Sequence, residues 1–149
     1  MRLPSLLVAL TFLTLGTANA QTSGITWGPA PAVFPAGAKL AVLQGDPGKA
    51  GEYTVRLDMP DGYKIPPHFH PTAEHVTVIQ GNLLIGIGDK LDPAQAKSLP
   101  AGGFISAEPN MHHFAIAKGH TVVQVHGGGP FVLTYVNPKD DPSQKPKTD

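Results

Sequence analysis

The chain has 149 residues, with eleven basic and eleven acidic side chains and no formal net charge at neutral pH. Both signs are scattered along it, so no basic face is available to recruit nucleic acid or an anionic lipid surface. There is no cysteine, which excludes thiolate metal sites, thiol catalysis and disulfides and leaves core packing to hold the fold.

From the amino terminus, Arg2 is followed by an apolar run from Leu6 to Leu15 and then by Ala18-Asn19-Ala20. A basic start, a short apolar core and a small-residue cleavage site are the parts of an export signal. A spanning helix needs about twenty apolar residues, and this run is shorter. Residues 1–20 are therefore expected to be removed, by a route without a twin-arginine signal and with no cysteine to carry a lipid. The expected product is a periplasmic or secreted protein with no stable membrane anchor. Residues 21–139 suit one domain, since domains commonly run to about 100 to 150 residues.

The 17 glycines and 16 prolines punctuate short apolar stretches, as in an all-β sandwich or barrel. The segment 29–35 reads as an arm. Candidate strands follow at 39–44, 52–59, 63–70, 74–80, 82–87, 104–106, 113–117, 121–126 and 131–136, enough for two packed antiparallel sheets. Several are continuously apolar, as expected where both faces are covered. The one helical turn expected is at 93–97, with Asp92 as cap and Pro93 in the first position. Residues 140–149 are polar and proline-bearing, with nothing to bury, and read as a disordered tail.

The chemistry concentrates in Gly62-Tyr-Lys-Ile-Pro-Pro-His68-Phe-His70-Pro-Thr-Ala-Glu74. Alternate residues of a strand share a face, so His68 and His70 stand about 6.6 Å apart along one side. Pro71 and Thr72 favour a bend that returns Glu74 toward that side, and Gly81 with Asn82 marks the next turn. A third nitrogen is expected from Asn110-Met111-His112-His113, where only one of the two adjacent histidines faces inward. Three imidazoles and a carboxylate suit a borderline divalent ion with one or two positions open to a ligand. Two histidines at alternate positions also occur on exposed faces, so spacing alone does not decide the matter.

These residues resemble the first motif of the cupin superfamily, G(x)5HxH(x)3,4E(x)6G, which Gly62, His68, His70, Glu74 and Gly81 meet at every fixed position. The second motif, G(x)5PxG(x)2H(x)3N, is met by Gly102 and His113, while Glu108, Asn110 and Ala117 replace its proline, glycine and asparagine. Asparagine tolerates the left-handed backbone of that glycine. The resemblance implies a jelly-roll β-barrel, often dimeric, with metal ligands His68, His70, Glu74 and His113. Zinc, manganese, iron, nickel and copper all stay open.

Around such a site, alternation places His75 outward, and Ala115 and Ala117 inward beside the ion. Gln124 and His126 share a face that is either the pocket or the exterior. If inward, His126 joins Glu74 as a candidate catalytic residue, a donor, acid or base above the ion. His112 and His120 are expected away from the ion, and Tyr135 in packing. Arg56 is the only arginine after Arg2, so a neutral or weakly acidic small molecule is the expected ligand. The cupins include dioxygenases, isomerases and lyases as well as non-catalytic binders that store or sense, and fold does not choose among them.

Overall fold

The computed structural model describes residues 24–144; the export signal expected at 1–20 lies outside the described residues. Among the described residues, nine strands form one curled antiparallel sheet: β1 (Gly28–Pro29), β2 (Lys39–Gln44), β3 (Gly51–Met59), β4 (Lys64–Phe69), β5 (Glu74–Ile87), β6 (Lys97–Pro100), β7 (Phe104–Ala107), β8 (His113–Gly129) and β9 (Thr134–Tyr135). The order β1-β2-β3-β8-β4-β9 runs along one path, and β5 pairs with β6, β7 and β8. The all-β jelly-roll barrel expected from the sequence is the architecture found, its two layers joined by continuous strands.

Two expected turns are absent because the strands run through them. The stretches 74–80 and 82–87 are one strand, β5, and 113–117 and 121–126 are one strand, β8. Gly81 bends rather than ends β5: its φ is +78°, and a Cβ there would fall 2.3 Å from the His120 carbonyl oxygen. The register slips on both sides of Gln80, so the bend works as a bulge, a device that re-aims a strand without breaking the sheet. Strand β6 was missed by the sequence reading. A 3-10 turn does form at Pro93–Gln95 with Asp92 capping Ala94 N–H at 2.9 Å, but extended backbone resumes at Lys97. Further 3-10 turns at Pro138–Asp140 and Pro142–Gln144 occupy the start of the segment read as a tail, and 145–149 lie outside the described residues.

Alternation builds the interior. On β3, Tyr53, Val55, Leu57 and Met59 are buried while Thr54, Arg56 and Asp58 face out. Val76 and Val78 on β5, Ala115, Ala117, Val123 and Val125 on β8, and Leu133 and Tyr135 near the end complete the same core. Burying each of the larger side chains stabilises the fold by about 1.5 to 3 kcal/mol. The first half of β8 is buried on both faces, from His113 to Ala117, as its continuous apolar character predicts.

The amino-terminal arm is held over the barrel by two tyrosines. Tyr135 Oη donates to the Val33 carbonyl at 2.8 Å, and Tyr63 Oη donates to that of Pro35. Phe34 thereby stacks on Phe131, with ring centroids 5.8 Å apart.

Candidate metal centre

Strand β4 carries Pro66 and Pro67, which have no N–H to give, and its pairing with β8 slips between Ile65 and His68. Beyond the slip, His68 lies directly opposite His113 on β8 and opposite Tyr135 on β9. Directly opposed residues point to the same side, so His68 and His113 meet inside the barrel with ring centroids 4.3 Å apart. His70 follows on the same side, 5.1 Å from His68 and 5.4 Å from His113. All three rings are buried.

Each of these rings is fixed by its Nδ1. His68 Nδ1 bonds the Pro66 carbonyl at 2.7 Å, His70 Nδ1 that of Val132 at 2.7 Å, and His113 Nδ1 that of Met111 at 2.9 Å. A carbonyl accepts only, so in each neutral ring the proton sits on Nδ1 and the lone pair on Nε2. Backbone carbonyls that orient a ring in this way are the usual support of a metal-ligating histidine.

Glu74, at the start of β5 and opposite Gly127 of β8, completes the cluster. Its Oε2 is 3.4 Å from His113 Nε2 and 3.5 Å from His70 Nε2. The His70 contact lacks hydrogen-bond geometry, and His70 Nε2 is a buried nitrogen with no hydrogen-bond partner among the described residues. Lone pairs and a carboxylate facing one another without a proton between them repel, and a divalent cation is the partner that satisfies them all. A ring nitrogen from each of His68, His70 and His113 lies within 4.8 Å of the others, so the three buried histidines can hold one metal ion.

The electrostatics agree. Burial, reinforced by neighbouring His113 and His70, drives the His68 pKa down to about 3. Burial also opposes charge on His70, but the Glu74 carboxylate outweighs it and raises that pKa above the ordinary value. Glu74 is held well below the usual carboxylate range: burial works against its charge, and His113 and His70 more than compensate.

The cluster forms the polar end of a cavity of about 760 Å³, counting its open mouth. The remaining walls are apolar, with Val55, Leu57, Leu83, Ile85 and Val123 inside and Pro31, Phe34 and Phe131 from the arm and the segment after β8. Phe131 lies 5.3 Å from the His70 ring and meets Tyr53 edge-on at 6.1 Å. The sequence reading placed no aromatic at the site, yet the alternation Phe131, Leu133, Tyr135 was the available signal. Ala115 faces this cavity, as expected.

His126 requires a correction. It lies opposite His75 on β5 and opposite Thr54 on β3, on the outer side of the sheet, and its Nδ1 is 3.2 Å from Thr54 Oγ1. Because Val125 faces in, His126 faces out, and it cannot act above the ion. Gln124 shares that outer face and accepts from Arg56 Nε at 3.3 Å. His75 is also outside. His112 pairs with Asp89 at 2.6 Å and His120 with Asp58 at 2.7 Å, both away from the cluster. Asn110 adopts φ +61°, the left-handed backbone expected of it.

A family model described as "ChrR Cupin-like domain" matches residues 16–132. No curated protein matches. Among solved structures, the "putative acetylacetone dioxygenase" of Methylibium petroleiphilum PM1 is 20% identical, with 88% of each chain covered and a TM-score of 0.65. An RmlC-like cupin from Shewanella frigidimarina NCIMB 400 is 15% identical, covering 73% of this chain and 87% of that one, with a TM-score of 0.58. An oxalate oxidase is 23% identical over 73% of this chain and 60% of its own, with a TM-score of 0.53. At such identities the likeness establishes the fold and not the substrate.

Proposed function

The chain belongs to the cupins, in the ChrR cupin-like domain family, and from that premise we propose an exported metal-dependent enzyme that acts on a small, uncharged organic molecule. His68, His70, Glu74 and His113 hold one divalent transition metal, and the substrate occupies the apolar cavity beside it. A bound ion would supply Lewis-acid or oxygen-activating chemistry. The observation that carries the reading is the set of three Nδ1–carbonyl hydrogen bonds, which leaves Nε2 as the donor atom of each ring, with those of His70 and His113 facing one carboxylate.

The chain's own groups narrow the reaction. Apart from His68, Glu74 and His113, the titratable side chain among the described residues that line the cavity is Tyr53, whose hydroxyl is pushed up to about 12 by burial and the Glu74 charge. Neither a free acid nor a free base is poised near neutral pH, as general acid–base turnover requires. A dioxygenase-type reaction, in which the metal carries the chemistry, is therefore preferred over an isomerase or lyase. Among the described residues no lysine or arginine lines the cavity: Arg56 faces out, and Lys64 is exposed. Phe131 and Phe34 offer a planar apolar substrate a surface on which to pack.

Support for export comes from Arg2, the apolar run and Ala18-Asn19-Ala20. The test is elemental analysis of protein purified from its own compartment, beside His70→Ala, followed by oxygen uptake with neutral β-diketones and phenols. One equivalent of metal that is lost in the variant, with uptake on at least one such compound, is expected. Unchanged metal in His70→Ala refutes the centre. Bound metal without uptake or turnover across that panel favours a non-catalytic binder.

A further inference from the structure

Three strands meet at Gly127. On β8 it lies opposite Tyr53 of β3 on one side and opposite Glu74 of β5 on the other. Opposed residues share a face, and here that face is the interior, with Tyr53 only 3% exposed. Glycine puts no side chain between the two: a Cβ on Gly127 would fall 2.9 Å from Tyr53 Oη and 3.2 Å from the Ala73 carbonyl oxygen. The phenol therefore leans across β8 with its hydroxyl over the glycine, where it feels the Glu74 charge. Phe131 meets the ring edge-on at 6.1 Å and fixes its plane.

Of the three tyrosines, Tyr63 and Tyr135 donate to the carbonyls of Pro35 and Val33. Tyr53 Oη has no acceptor among the described residues. Among those residues His70 Nε2 alone is both sealed from solvent and without a partner, so Tyr53 Oη is not sealed, and the space it meets is the cavity that Tyr53 lines. The N–H groups of His68 and His113 are spent on carbonyls. Tyr53 thus carries the one free side-chain donor among the described residues lining the cavity.

We infer that Tyr53 is the specificity-determining donor of this cavity: its hydroxyl gives a hydrogen bond to an oxygen of the bound organic molecule and so selects a neutral compound with a carbonyl-type acceptor over the matching hydrocarbon. The inference rests on the reading of the cavity as the substrate site. The hydroxyl keeps its proton at neutral pH, so it can give a hydrogen bond there. Its direction is set in advance by Phe131 and the slot at Gly127, and a donor ordered beforehand spends little on binding. A hydrocarbon in the same place leaves that donor unmatched and dry, which costs affinity.

The test is calorimetric binding of two probes to the full chain under nitrogen, in wild type and Tyr53→Phe, with metal content measured alongside. The probes are acetophenone and α-methylstyrene, which has a methylene where the ketone has oxygen and nearly the same shape. Wild type should prefer the ketone, and Tyr53→Phe should lose about tenfold of that preference. Its affinity for the hydrocarbon and its metal content should match wild type, which also reports that the variant is folded. A preference that survives the substitution while both probes bind overturns the donor and leaves the metal centre standing. Loss of metal in Tyr53→Phe also overturns it, by making the hydroxyl a support of Glu74. A wild type without metal whose ketone preference still falls in Tyr53→Phe sustains the donor and sinks the centre. A wild type that binds neither probe sinks the cavity reading and the donor together.

Discussion

His68 and His113 face each other across β4 and β8 with ring centroids 4.3 Å apart, and each gives its Nδ1 proton to the carbonyl two residues before it. The same short-range bond, repeated on opposed strands, presents two nitrogen lone pairs to one point. Burial, with His113 and His70 alongside, holds the His68 pKa down to about 3, so that ring stays neutral.

Removing one of these donors should release the ion. His113→Ala is expected to lower metal affinity by at least about tenfold, and Glu74→Gln should weaken it while the barrel stays folded. Metal content and circular dichroism of the two variants, measured together, check this. Metal content in His113→Ala equal to wild type would remove that histidine from the centre.

The metal-free protein should be most stable near pH 6.5. The His68 pKa falls from 6.5 in the unfolded chain to about 3 in the fold. Its contribution is therefore complete above pH 6.5 and is lost as pH falls toward 3, at about 1.4 kcal/mol per pH unit. His70 has the opposite sign: its raised pKa stabilises the fold fully below 6.5, and this is lost as pH rises through the folded value. Chemical denaturation of the apoprotein from pH 5 to 8 reads both arms. His68→Gln should flatten the acid arm.

Metal binding should run the other way on the alkaline side. The Glu74 carboxylate raises the His70 pKa above its ordinary value, and an ion binds only the neutral ring, so affinity should rise with pH until His70 is neutral, by about tenfold per unit for one proton released. Zinc titrations at several pH values measure the slope. A flat profile would mean that His70 carries no proton in the apoprotein.

The cavity should reject anions when it holds no metal. A dicarboxylate meets no lysine or arginine among the described residues there and must shed its water against Val55, Leu57 and Ile85, a cost that no such charge repays. Calorimetry on the apoprotein should show binding of a neutral phenol or diketone and none of oxalate. Tight oxalate binding to that form would overturn the preference for uncharged ligands.

A stability test separates the barrel from its site. Gly86 on β5 leaves room for the Phe114 ring, and a Cβ there would lie 2.2 Å from the ring's end. Phe114 is 1% exposed and has little space to yield. Gly86→Ala should destabilise the protein by about 1 to 3 kcal/mol, with thermal unfolding as the readout, and Phe114→Leu added to it should recover part of the loss.

Much of the centre was legible in the chain because a strand has a fixed period. Two residues apart means one face, so His68 with His70 followed from spacing, and one inward histidine of the pair at 112–113 followed from the same rule. Proline and glycine marked most strand limits. They misled at Gly81, where a positive φ served a bulge inside β5 instead of a turn, and at 97–100, where polar residues gave no sign of β6.

The sequence by itself determined the all-β class, the donor types and their local spacing, since these depend on neighbours a few residues apart. Tertiary structure alone decided which way His126 and Gln124 point, that the arm closes over Phe131, and that Glu74 comes to within 3.5 Å of His70 and 3.4 Å of His113. Alternation fixes side-chain faces only relative to one another along a strand. The pairing of β8 with β3, β4 and β5, set by burial of the whole core, decides which of those faces is the inside.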